Sequence, residues 1–99
     1  MAAPDVWVGK HDGSDIVRGD SIAAVGRDYN GNVTARLAGG EASVITLIAP
    51  GPHGGPFTPA DMHRQLLQVM AELSDTAEAT LVRPMNDELR GWHWTVERL

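Results

Sequence analysis

Ninety-nine residues are enough for one domain and too few for two. A hydrophobic fraction of 42% with 21% charged residues is globular composition. Eight Lys and Arg against thirteen Asp and Glu leave a net charge of −5, which argues against a general binder of phosphate backbones. The absence of cysteine excludes disulfides, thiolate catalysis and cysteine-based zinc sites.

The opening residues Met1-Ala2-Ala3-Pro4-Asp5 carry neither the basic nor the apolar region of a secretory leader. The longest apolar stretch, 44–49, is far below the ~20 residues of a spanning helix. A cytoplasmic location with no membrane partner is the expectation. Arg outnumbers Lys heavily among the basic residues, and Ala, Gly and Pro are abundant. These residues have GC-rich codons, so the composition points to a high-GC bacterium or a phage of one.

Residues 5–9 read as a first strand, with Val6 and Val8 on one side and Trp7 on the other. Turn residues 11–15 separate it from a short extended stretch at 16–18. Two strand-like runs, 21–28 and 32–38, flank Asn30-Gly31. That dipeptide is the strongest short-range hairpin signal, because a type I′ turn needs positive φ at both positions. A two-residue loop sets Asp28 opposite Val33, Gly26 opposite Ala35 and Ala24 opposite Leu37. The inner face is then Ile22, Ala24, Gly26, Val33, Ala35 and Leu37, leaving Arg27 and Arg36 as diagonal neighbours outside. After a turn at 39–41, a third strand spans 43–49, apolar on both faces.

A Gly/Pro-rich loop at 50–59 leads into a helix predicted over about 59–74. Thr58 reads as its N-cap, Pro59 as its first residue and Asp61 as its third, with Phe57 and Met62 spaced as a hydrophobic staple. Met62, Leu66, Val69, Met70 and Leu73 form the apolar stripe. The small residues Ala24, Gly26 and Ala35 are expected to let the helix approach the sheet closely. Residues 80–83 read as a strand stopped by Pro84. The segment 88–99 fits two patterns. Trp92, Trp94 and Val96 alternate as in a strand, whereas Leu89, Trp92, Val96 and Leu99 fit a helical stripe. Gly91 within a helix costs about 1 kcal/mol, which favours the strand.

Within 15–48, the run Val17-Arg18-Gly19-Asp20-Ser21-Ile22-Ala23-Ala24-Val25, its turn, and Val33-Thr34-Ala35-Arg36-Leu37-Ala38-Gly39-Gly40 resemble small bacterial β-meander modules such as flagellar FlbD-like proteins. The shared residues are generic strand and turn formers, so the resemblance implies a meander and no residue roles.

The sequence therefore predicts one α+β domain over 1–99: an antiparallel sheet built around the Asn30-Gly31 hairpin, one packed helix and a C-terminal β segment. No catalytic motif, cofactor loop or metal spacing is found, so no catalytic, cofactor-binding or metal-ligating residue is assigned. The expected function is a small non-enzymatic protein–protein interaction module, self-associating as a homodimer. Trp7, Trp92, Trp94, Arg27 and Arg36 are the candidate interaction residues, since Trp and Arg are enriched at interfaces. For the tryptophans, core packing is the competing reading. Strand 5–9 and the terminal strand are the expected pairing edges. The alternative is a small-molecule or anion-binding protein, or a minor enzyme, using the Gly51–Gly55 loop at the helix N-terminus, with His53, Gly54 and Gly55 as its ligand residues. Against it stand the loop prolines, which lack N–H donors, and the absent Gly-Lys-Ser/Thr pattern.

Overall fold

A computed structural model describes residues 6–38, 43–49, 58–75 and 78–99. Among the described residues seven strands and one α-helix make an α+β fold with two sheets. The first sheet holds β1 (Val6–Gly9), β2 (Ile16–Arg18), β6 (Thr80–Asp87) and β7 (Gly91–Arg98), in the order β2-β1-β6-β7. Its β1–β6 pair is parallel and the others antiparallel, so this sheet is mixed. The second sheet is the predicted meander, β3 (Ile22–Arg27), β4 (Val33–Leu37) and β5 (Ser43–Ile48), antiparallel throughout. The contested C-terminal segment is a strand.

The hairpin forms at the expected place with a different turn. Only Gly31 takes positive φ, at +86°, and Asn30 does not. Gly31 N–H donates to the Asp28 carbonyl at 3.1 Å and Asp28 N–H to the Asn32 carbonyl at 3.1 Å. This is the three-residue loop with a glycine bulge, the next commonest hairpin connection. Asp28 selects it. Its carboxylate accepts the N–H groups of Asn30 and Asn32 at 2.9 and 3.0 Å, and the Asn32 side-chain amide at 3.0 Å.

The extra loop residue shifts the register by one. Arg27 pairs with Val33, Val25 with Ala35 and Ala24 with Arg36. Val33, Ala35 and Leu37 keep the inner face, whereas Ala24 and Gly26 move outside and Val25 moves in. Of the small residues expected beneath the helix, only Ala35 is there. A bulge in β5 at Leu47 turns both Leu47 and Ile48 into the core, while Val44 is exposed.

The Asn32 side-chain amide, and then the backbone N–H groups of Asn32 and Asn30, hold the Asp28 carboxyl below the usual carboxylate range. A depressed carboxyl contributes stability above its unfolded pKa and loses it as pH falls through the folded value. Asp28→Ala is therefore expected to lower the urea midpoint at pH 7. The gap to the parent protein should narrow as the pH falls through the folded pKa of Asp28.

The helix α1 (Met62–Glu72) starts later than predicted and continues as a 3-10 turn, Leu73–Asp75. Its cap is Asp61, without a side-chain capping bond. Thr58 is not the cap, because its hydroxyl is engaged with the hairpin: it donates to the Gly31 carbonyl at 2.7 Å and accepts Arg27 Nε at 3.0 Å. The predicted stripe is correct. Met62 and Leu66 are buried, with Val69, Met70 and Leu73 packed against the core. Leu66→Ala is expected to cost about 2–5 kcal/mol in a urea titration. Leu67→Ala, one residue along on the exposed face, should stay within about 0.5 kcal/mol.

The core joins three parts: Val8, Val82, Trp92 and Trp94 of the mixed sheet, Val33, Ala35, Leu47 and Ile48 of the meander, and Met62 and Leu66 of the helix. His11 N–H donates to the Leu47 carbonyl at 2.9 Å and ties the end of β1 to β5.

Pro84 does not stop its strand. It lies inside β6 opposite Trp94. The Leu99 N–H donates to the Ala79 carbonyl at 3.1 Å, which fixes the alternation of the β6–β7 ladder. In that alternation Pro84 is a non-hydrogen-bonded position, with its nitrogen turned away from β7. On that other side β1 pairs only with Thr80, Leu81 and Val82, so no ladder bond is lost at Pro84.

Candidate interaction surface

The inner face of the mixed sheet belongs to the core, and the alternate residues form its outer face. Along one row the register sets Arg18, Trp7, Leu81 and Glu97 side by side; beyond it Ile16 pairs with Gly9 and Arg83 with Thr95. Met85 and His93 continue the face toward the β6–β7 turn. Ile16 and Met85 are exposed and Trp7 is half-buried.

The face is organised around Trp7 and Leu81. The Arg18 guanidinium lies 5.4 Å from the centre of the Trp7 ring, a cation–π contact worth about 0.5–1 kcal/mol at an exposed site. Gly9 leaves room for its neighbours. A Cβ there would stand 3.2 Å from Arg83 Cγ and 3.5 Å from Leu81 Cδ1. The Arg83 stem thus packs beside Gly9, and Arg83 Nη1 reaches Glu97 Oε1 at 3.5 Å. Leu81 is buried on this side and lies outside the main core. Aromatic and Arg side chains beside partly exposed aliphatic ones are the composition of a protein-docking surface.

The candidate interaction residues separate. Trp7 lies on this face. Trp92 and Trp94, 7% and 8% exposed, fill the core. Trp94 Nε1 donates to the Met62 carbonyl at 2.8 Å, and the His11 ring meets Trp92 edge-on at 5.0 Å. Arg27 and Arg36 are not neighbours, because the register shift sends them to opposite faces. Arg27 is a strut: its Nη2 donates to the Thr58 carbonyl at 2.7 Å. Arg36 lies on the outer face of the meander, in a shallow groove with Ala24, Gly26, Thr34 and Val44. Strand β1 is not an edge, since β2 and β6 flank it; among the described residues β7 is one. His53, Gly54 and Gly55 lie outside the described residues, as does Phe57.

Sequence reasoning missed Ile16, Leu81, Arg83 and Met85. Their alternation was readable, but which side faces outward depends on strand pairing.

A second concavity, of about 300 Å³, is lined by Lys10, His11, Asp12, Thr46, Leu47 and Ala49. The Asp12 carboxyl in it is held below its usual range by hydrogen bonds from the Ser14 hydroxyl and N–H. Among the described residues no group of three or more His, Asp and Glu could hold a metal. Among them, too, no helix is long and apolar enough to cross a membrane. No protein family, curated protein or solved structure matches this chain.

Proposed function

We propose that this protein is a small non-enzymatic protein–protein interaction module that associates with itself. The observation that carries the reading is the outer face of the mixed sheet, where half-buried Trp7, exposed Ile16 and exposed Met85 lie among Arg18, Arg83 and Glu97. Two-fold dimers are the commonest closed assembly. Light scattering behind a sizing column at micromolar concentration is the test. The expected mass is twice that of the 10.6 kDa chain. The mass of one chain across a tenfold dilution series overturns self-association.

A second reading, binding of a small anion with His53, Gly54 and Gly55, is supported by Lys10 and His11 in a recess that they share with the Asp12 carboxylate and that reaches Ala49. Calorimetric titration with inorganic phosphate tests it. No heat of binding up to millimolar phosphate removes it.

A further inference from the structure

We infer that the second copy joins through β7, antiparallel to its own counterpart and centred on Thr95, so that two mixed sheets become one continuous sheet. This rests on the self-association proposed above; it places the joint at the edge of the mixed sheet and leaves the outer face around Trp7 to a further partner. Among the described residues β7 has a strand on one side only. The Leu99–Ala79 hydrogen bond fixes which way its backbone points. Thr95 and Glu97 turn their N–H and C=O groups toward β6, while Trp94 and Val96 turn theirs outward.

A two-fold axis perpendicular to the sheet keeps inner faces aligned with inner faces, so it must pass through a residue. An axis on Trp94 sets Glu97 against Gly91 of the other copy. An axis on Val96 sets Glu97 against Thr95 and His93 against Leu99. Only the axis on Thr95, among the three, brings His93 of each copy opposite Glu97 of the other. It also sets Thr95 against Thr95 and covers Val96 with Trp94. Thr–Thr pairs are favourable across strands, and an imidazole and a carboxylate facing each other can share a hydrogen bond. Val96 is 47% exposed in the single chain, although its neighbour Trp94 on the same face is buried. His93 Nδ1 donates to the Gly91 carbonyl at 2.9 Å, and its Nε2 lies 3.7 Å from Asp87 Oδ2. Glu97 already meets Arg83 at 3.5 Å, so the new pair joins an existing polar row on the outer face. The same axis places both Trp7 faces on one side of the joined sheet, side by side for a shared partner.

Cysteine scanning tests the register, since the chain has no cysteine of its own. Thr95 faces Thr95 at a non-hydrogen-bonded position, where Cα atoms are about 4.5 Å apart, within disulfide reach. Thr95→Cys should form a disulfide-linked dimer under mild oxidation. His93→Cys and Glu97→Cys should each stay unlinked alone and become linked when mixed. Val96→Pro removes an outward N–H without touching the β6 ladder. It should abolish the dimer while leaving the circular dichroism unchanged. No cross-link at Thr95→Cys in a protein that light scattering shows to be dimeric overturns the β7 pairing. A dimer lost by Trp7→Ala and kept by Val96→Pro does the same, and leaves self-association standing. A parent protein that is monomeric throughout overturns both.

Discussion

Trp94→Ala is expected to remove about 3–5 kcal/mol of stability, the range for truncating a buried aromatic side chain. Against a total of about 5–15 kcal/mol for a domain, that brings the fold near its limit. Two causes add. The indole is buried where β7 meets the start of the helix, and its loss leaves a cavity between Pro84 and Met62. The Nε1 donation to the Met62 carbonyl is lost as well. Trp94→Phe separates the causes, since it keeps most of the ring volume and removes the donor. It should cost less than half as much. Trp7→Ala, on the outer face, should cost less again. Guanidinium titration followed by far-UV circular dichroism measures all three without depending on tryptophan emission. Similar small losses for Trp94→Ala and Trp7→Ala would mean that Trp94 is no core residue.

The features that local chemistry decides were readable in the sequence. The helix stripe follows from apolar spacing alone, and the terminal strand from alternating tryptophans and Gly91. The hairpin was readable as well, but its register was not. Asn30-Gly31 suits a two-residue turn. Asp28, two residues earlier, recruits the N–H groups of Asn30 and Asn32 and favours the longer loop. One residue of loop length sends Ala24 and Gly26 outward and separates Arg27 from Arg36. The parallel pairing of β1 with β6 had no local signal, because the two strands are far apart in the chain. That pairing makes β1 an interior strand, ends before Pro84 and creates the face around Trp7. Trp7 was legible as a candidate from residue type. Leu81, Arg83 and Met85 became site residues only through the pairing.

The connection between hairpin and helix carries the second large effect. Thr58 is 2% exposed and bonded on both sides, to the Gly31 carbonyl and to Arg27 Nε. Arg27 also holds the Thr58 carbonyl at 2.7 Å and the Asp28 carbonyl at 3.3 Å. One hydroxyl and one guanidinium thus fasten the hairpin tip to the chain entering the helix. Thr58→Val keeps the shape and removes the hydroxyl, leaving the buried Gly31 carbonyl and a partly buried cation without this partner. At about 1–3 kcal/mol for each such group, the expected loss is at least about 2 kcal/mol. Thr58→Ser keeps the hydroxyl and should lose only about 0.8 kcal/mol, the share of one buried methyl group. The decisive measurement is a double-mutant cycle with Arg27→Met. A direct joint gives a coupling of about 0.5–3 kcal/mol. A simple helix cap at Thr58 would cost about 1 kcal/mol on removal and show no coupling to Arg27. Additive losses in urea titrations would therefore return Thr58 to the capping role and detach the hairpin from the helix entrance.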